Sequence, residues 1–430
     1  MKIEVAPQPK STVKLTVELS PDEMKPHLER AAEVLSKGHQ IEGFRPGKAS
    51  LGIVLQRLGA QAVWEEAAEQ AVRKSYAQAV KQHGLQTVGP PKISVHKLAP
   101  DNPFVYHAEI AVLPEIVVGN YRELKVKRAA VEVKPEQVDR AVADLQSMFA
   151  KEVLVDRPAQ RGDKIEIDFD LAVGHVPVEG GSSKQHPVVI GSGHFIPGFE
   201  DQLIGLRKEE RKEFTLTFPS DYKNRQVAGQ QGTFKVMAKA VYQIDQPQLN
   251  DDFAKRASKQ QTLNDLRQQL ERNLRDEAAQ KNERIFERAI VDELITKSKF
   301  SELPEVLVDH EVTKMLNELQ EEVERRGGAK FDDYLQGLKK TTASLKLEFR
   351  PQAEHRVKSA LLLRQIAKRE NITATTEEVE QEVKQALQMY TRYPELRSQI
   401  ESDDYRDFAR VMLTNRQVVA RLKKLALGQT

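Results

Sequence analysis

The apolar residues of this chain change their spacing part-way along, and no single hydrophobic core can serve both patterns. Between residues 157 and 245 they alternate with polar ones, as in Ile165, Ile167 and Phe169, in Phe214, Leu216 and Phe218, and in Phe234 and Val236. Gly and Pro are frequent there, so the stretch reads as a small antiparallel β domain with one short helix near 199–206. From about residue 250 onward the spacing is helical. Leu263, Leu266, Leu270, Leu274, Ile285, Ile290 and Leu294 recur among charges between Thr262 and Ser298. Thr375 and Glu378 form a capping box ahead of Val379, Val383 and Leu387. The breaks are short: Gly327-Gly328, Pro351 and Pro394. No fixed repeat period runs through these helices, so a regular solenoid is not expected.

The first part of the chain mixes both spacings. Val13, Leu15, Val17 and Leu19 alternate as in a half-buried strand. Ser20, Pro21 and Glu23 then mark a capped helix start, continued by Met24, Leu28, Ala31 and Leu35. Pro26 removes a donor early in that helix and is expected to bend its first turn. After a turn at 43–48, residues 50–83 read as helix, and Ile93–Val95 and Phe104–Val112 as strands. Val131–Val133 is strand-like, and Pro135 opens a helix with Val138, Val142, Leu145 and Phe149 on one face.

A length of 430 residues supports two to four domains. The expected architecture is an α+β multidomain chain. It has an N-terminal α+β domain over 1–115, a linker over 116–155, a small antiparallel β domain over 156–246 and a long-helix, all-α domain over 247–430.

Composition removes several function classes. The 66 Lys and Arg nearly balance 64 Asp and Glu, which argues against a general nucleic-acid binder. Without Cys there is no disulfide scaffold, thiolate metal site or Cys nucleophile. The opening stretch alternates like a strand and lacks an apolar run of signal-peptide length, and no run approaches the ~20 residues of a membrane span. A cytoplasmic protein with no membrane partner is expected. The ten His show no ligand spacing, and no Ser-His-Asp arrangement can be argued. Neither a metal nor a cofactor is expected.

Two segments carry chemistry. In Gly43-Phe44-Arg45-Pro46-Gly47-Lys48, Pro at the second and Gly at the third position fit a type II turn from Arg45 to Lys48. Such a turn is either an ordinary connection with solvated charges or a docking tip, with Arg45 and Lys48 on phosphates or carboxylates and Phe44 in an apolar crevice. It is no Walker phosphate loop, because Glu42 and Ala49 stand where that motif needs Gly and a hydroxyl residue. The stretch IEGFRPGK resembles the ribosome-docking signature of the trigger factor family, a tip between two helices. The resemblance implies that Phe44, Arg45 and Lys48 contact the ribosome beside the polypeptide exit tunnel. The family continues with a variable residue and Pro, whereas this chain has Ala49-Ser50, which bears on where the next helix starts.

The second segment, Ile190 to Glu200, reads IGSGHFIPGFE. It fails as a dinucleotide fingerprint, since Ile196 occupies the place of the third Gly. On its own it reads as a turn leading into a capped helix, with Phe199 as core. It also resembles the pocket segment of FKBP-type prolyl isomerases. That resemblance puts Phe169, Ile196, Phe199, Tyr222 and Phe234 at the proline site, with Phe199 as its floor and the Ile196 N–H offered to the substrate carbonyl. Val178 and His186 stand where the family commonly has aromatic rings, which implies a looser pocket. An apolar site of this kind needs no acid, base or nucleophile. The amide loses its resonance and polarity in the twisted transition state, and a desolvated pocket favours that form.

In the helical C-terminal half, Met315, Leu316, Leu319, Val323, Met389, Tyr390, Phe408, Val411, Met412, Leu413, Leu422 and Leu425 recur among charges. Most are expected to form the domain's own core, the rest a surface for unfolded chains, which Met and flexible charges suit. The resemblance covers nearly the whole chain in the family's domain order. It implies an ATP-independent chaperone that meets nascent and unfolded polypeptides at the ribosome, isomerises X-Pro bonds and self-associates as a homodimer away from it. The rival readings are a dedicated prolyl isomerase, and an RNA-binding ribosome factor using Arg45 and Lys48, whose binding would fall steeply with salt.

Overall fold

The computed structural model describes the chain except residues 40, 101, 175, 223, 226, 328, 329, 392 and 430, and the side chains of 179, 326 and 327. The chain folds as two compact units, one of residues 1–128 with 284–430 and one of residues 129–283. Its first elements are β1 (Lys2–Gln8), β2 (Thr12–Leu19), α1 (Pro21–Gly38), α2 (Leu51–Leu58), α3 (Ala60–Gln82), β3 (Thr87–Lys97), β4 (Phe104–Val112) and β5 (Ile116–Val117). The middle of the chain supplies α4 (Pro135–Met148), β6 (Lys151–Leu154), β7 (Lys164–Val173), β8 (Val176–Val189), α5 (Phe199–Leu203), β9 (Arg211–Thr217), β10 (Gln231–Asp245) and α6 (Asp251–Ala257). Then come α7 (Leu263–Lys297), β11 (Lys299–Phe300), α8 (Glu305–Gly327), α9 (Phe331–Gly337), α10 (Thr342–Glu370), α11 (Thr376–Met389), α12 (Arg397–Ile400) and α13 (Asp403–Ala426).

In the first unit, β1, β2, β4 and β3 lie side by side in that order, all antiparallel. The alternation of β2 sets the register of the buried face: Val13, Leu15, Val17 and Leu19 stand opposite Ile110, Ala108, Tyr106 and Phe104. All eight are buried, under Met24, Leu28 and Ala31 of α1 and Val63, Ala67 and Ala71 of α3. The small residues of α3 let it approach closely, and the Tyr106 hydroxyl, sunk in that core, meets Ser75 Oγ at 2.8 Å. The Ser20 capping box forms as expected. Ser20 N donates to Glu23 at 2.9 Å while Glu23 N donates to Ser20 Oγ at 3.4 Å. The helix runs on through Pro26 to Gly38.

Three local expectations need correction. Residues 50–83 form two helices, because the chain turns at Gly59 with φ of 90°. Residues 131–133 are not a strand, since an alternating stretch needs a neighbouring edge and none pairs with it among the described residues. The break expected at Gly327-Gly328 falls where α8 ends, Gly328 itself lying outside the described residues, but the one expected at Pro351 does not occur: α10 runs through that residue from Thr342 to Glu370.

The same unit contains a helical core built from Phe286, Ile290 and Leu294 of α7, Leu362 and Ile366 of α10, and Val418 and Leu422 of α13. Val118, Tyr121, Leu124 and Val126 pack against it. The Tyr121 hydroxyl donates to Glu370 at 2.6 Å, and β5 pairs with β11. A second helical core gathers Val308, Val312, Met315 and Leu316 of α8 with Leu335, Leu345 and Ala353.

In the second unit, β6, β10, β7 and β8 form an antiparallel sheet in that order, with β9 on β10. Ile165, Ile167 and Leu171 on β7 and Phe234, Val236 and Ala238 on β10 face one core. Elsewhere in this unit Phe253 and Leu266 are buried with Leu145 against them, and Phe149 meets Phe253 edge-on at 5.9 Å.

Leu15 is fully buried at the centre of the N-terminal sheet, and Trp64, the chain's one Trp, packs against the same core. Leu15→Ala is therefore expected to cost about 2–5 kcal/mol. In urea unfolding followed by tryptophan fluorescence this appears as a lower midpoint.

Candidate functional site

The loop after α1 consists of two consecutive turns. Phe44 N donates to Ile41 O at 3.2 Å and Lys48 N to Arg45 O at 2.9 Å. Gly43 and Gly47 sit at the third position of each turn with φ of 84° and 76°, the left-handed conformation a type II turn needs there. Gly47 N also donates to Ser36 O at 3.1 Å, fastening the loop to the last turn of α1. Ile41, Gly47 and Ala49 are buried, so Glu42 to Pro46 and Lys48 project between them. Phe44 is 43% exposed, and Arg45 and Lys48 are exposed and in no ion pair among the described residues. The next helix, α2, starts at Leu51 after Ser50, whose hydroxyl makes no capping bond.

In the second unit a pocket of about 450 Å³ opens between the sheet and the Gly-rich segment. Phe169, Phe234, Ile196 and Tyr222 line it, so four of the five residues taken from the isomerase resemblance meet in one place. Phe199 is fully buried beneath it. Its ring contacts Phe234 at 5.0 Å and Phe169 at 6.3 Å edge-on, and stacks on Phe195 at 4.7 Å. Tyr222, 40% exposed, leans edge-on over Phe218 at 5.0 Å. The Ile196 N–H has no acceptor among the described residues, while the N–H of Phe199 returns to Ile196 O at 3.0 Å. No carboxylate, amine or guanidinium lines the pocket among the described residues; its polar side chains are those of His194, Tyr222 and Asn224, and the rest of the lining is apolar surface that can desolvate a peptide.

Sequence reasoning missed Leu171, Phe195 and Phe218 as lining residues. Phe195 had a usable signal, as the neighbour of Ile196 in the same segment. Val178 does line the pocket, but His186 lies behind it. The imidazole of His186 stands edge-on to Phe169 at 5.6 Å and to Phe195 at 5.5 Å, and so fills a ring's place in the packing.

Comparison with known proteins matches three stretches of the chain. Residues 1–145 match the family described as bacterial trigger factor protein, residues 262–424 its C-terminal part, and residues 155–245 the FKBP-type peptidyl-prolyl cis-trans isomerases. A trigger factor of Moorella thermoacetica is 35% identical over 92% of this chain and 88% of its own length. That of Carboxydothermus hydrogenoformans is 35% identical over 91% of each. The chain belongs to the bacterial trigger factor family. A solved structure described as "Promiscuous Substrate Recognition in Folding and Assembly Activities of the Trigger Factor Chaperone" shares the fold, with a TM-score of 0.51 at 18% identity over 99% of this chain and all of that one. This trigger factor is thus a folding chaperone with FKBP-type prolyl isomerase activity.

The segment that forms one wall of the pocket is tied to the sheet at its start. Gly162 N donates to Ile190 O at 2.8 Å and Ile190 N to Asp163 O at 2.9 Å. Asp163 is buried, and Arg157 grips its carboxylate with two bonds of 2.6 and 3.0 Å, joined by Gln160 N at 2.9 Å. Burial pushes this carboxyl up, but Arg157 and the Gln160 N–H outweigh it and hold it below its ordinary value of 3.8. A lowered carboxyl favours the folded state above its unfolded pKa, and that contribution disappears as pH falls through the folded value. Asp163→Asn is expected to lower the unit's stability at pH 7 by about 1.5–3 kcal/mol and to flatten its loss of stability below pH ~4. Urea titrations followed through the Ile165 and Ile167 methyl signals at pH 7 and in acid would measure both.

Proposed function

We propose that this trigger factor docks on the ribosome beside the exit tunnel through Phe44, Arg45 and Lys48, and isomerises X-Pro bonds of nascent chains in the pocket around Phe234. The proline ring lies against Phe169 and Phe234, Tyr222 closes over it, and the Ile196 N–H receives the carbonyl before the proline. Phe199 acts from below as the base on which those rings rest. The observation that carries this reading is a pocket walled mostly by aromatic and aliphatic side chains, with His194, Tyr222 and Asn224 as its polar ones and no carboxylate, amine or guanidinium among its described lining residues. A planar amide is stabilised by polar surroundings, and its twisted form has lost much of that polarity, so an apolar wall lowers the barrier without covalent chemistry.

The expected divisions are docking by 1–115, a linker over 116–155, isomerisation by 156–246 and polypeptide binding by 247–430. Support for the last comes from side chains that helical spacing could not sort. Met315, Leu316 and Leu422 are buried, whereas Met389 is 76% exposed, Val411 60% and Phe408 57%. Isolated apolar side chains among charges suit weak contact with many sequences. Away from the ribosome the same surface serves a homodimer, and the chain works in the cytoplasm without ATP.

Co-sedimentation tests the docking tip. A Phe44, Arg45 and Lys48 triple Ala variant is expected to stay in the supernatant while the parent pellets with ribosomes; equal pelleting would remove the assignment. For the pocket, Tyr222→Ala changes a half-exposed ring and spares the core. It should lower kcat/KM for a prolyl peptide about tenfold and leave suppression of aggregation intact. Loss of both together would favour an isomerase whose other parts only recruit.

A further inference from the structure

Glu200 stands one residue after Phe199 in the first turn of α5 and is only 8% exposed. A buried carboxylate is costly unless its oxygens are occupied. Here they are, by donors from one short run of chain. Gly191 N and Gly193 N reach Oε2 at 2.7 and 3.0 Å; Ser192 Oγ, His194 N and Phe195 N reach Oε1 at 3.1, 2.9 and 3.3 Å. Gly191 and Gly193 are left-handed, with φ of 94° and 73°, and this curls the run until its N–H groups converge. The residues that end the run, His194, Phe195 and Ile196, are a wall of the pocket.

We propose that Glu200 is a positioning residue for prolyl isomerisation: its carboxylate gathers residues 191–195 and thereby fixes the wall of His194, Phe195 and Ile196 against the substrate. The inference rests on the pocket being the prolyl site. The N–H groups of His194 and Phe195, just before Ile196, end on Glu200, and the next in order, that of Ile196, has no acceptor among the described residues and is left for substrate. A run holding two glycines has much backbone freedom to lose, so without the carboxylate the wall would sample many positions. Phe195 adds a second tie through its stack on Phe199 at 4.7 Å. Burial pushes the Glu200 carboxyl up, but the N–H groups of Gly193, Phe195 and Gly191 and the Ser192 hydroxyl outweigh it and hold it below 4.5, ionised at neutral pH. An amide at this position would keep one acceptor oxygen and turn its NH2 towards N–H donors.

The test uses the intact chain with Glu200→Gln, Glu200→Asp and Ser192→Ala, and reads kcat and KM on a Leu-Pro tetrapeptide. Amide spectra of Gly191, Gly193, His194 and Phe195 report the clasp, and those of β7 and β10 report the fold. Glu200→Gln is expected to shift the four clasp amides, leave the strand signals in place, lower kcat about tenfold and change KM less than threefold. Glu200→Asp should recover part of kcat, and Ser192→Ala should cost two- to threefold. A folded Glu200→Gln variant with shifted clasp amides and kcat within twofold of the parent overturns the proposal. If Glu200→Gln does not fold, Ser192→Ala decides, and an unchanged kcat there is equally fatal. Tyr222→Ala run in parallel separates the two ideas. Normal turnover in that variant would strike down the pocket assignment itself, and this inference with it, whereas a slowed Tyr222→Ala beside a normal Glu200→Gln would remove only the role given to Glu200.

Discussion

The ring of Phe199 is the fixed point of the isomerase unit. It is wholly buried, and Phe169, Phe195, Phe214 and Phe234 all contact it from different elements. Each contact is an edge or a stack of the kind aromatic pairs favour. The consequence is geometric. Strands β7, β9 and β10 and the segment before α5 each send one ring to a common centre, and the pocket lies against the outer sides of Phe169, Phe195 and Phe234. On the proposed reading a substrate meets walls already held in place, and little binding energy goes into arranging them.

On the proposed reading isomerisation needs no reactive group. The pocket lining contains no carboxylate, amine or guanidinium among the described residues, and the carboxylates nearby are spent on structure. Asp163 is held by Arg157 at one end of the wall segment and Glu200 by backbone donors at the other. Both carboxylates lie below their ordinary pKa because hydrogen bonds outweigh burial, so they stay ionised and bound at neutral pH. Charge in this unit fixes loops, and apolar surface makes up most of the pocket wall.

Features governed by neighbours in sequence were legible from it. The capping boxes at Ser20 and Thr375, the type II turn at Arg45 to Lys48 and the alternation in β2 and β4 all depend on residues within a few positions. Features governed by distant neighbours were not. Residues 131–133 alternate as a strand would but find no edge, and Leu171 and Phe218 join the pocket only because β10 brings their strands together. Helical spacing marked Met315 and Met389 as equals, although α10 covers the first and the second stays 76% exposed. The clasp on Glu200 was missed for a different reason: its five donors lie only five to nine residues before it, but they converge only through the left-handed turns at Gly191 and Gly193.

The divided first unit bears on how such a chain comes off its own ribosome. The N-terminal sheet and its helices close their core with residues up to 112, so that part can mature as soon as it is made. Val118, Tyr121, Leu124 and Val126 have no such option. Their partners lie on α7, α10 and α13, more than a hundred residues later in synthesis. Until those helices emerge, a folding helper carries an uncovered greasy ribbon of its own and is, for that interval, a client.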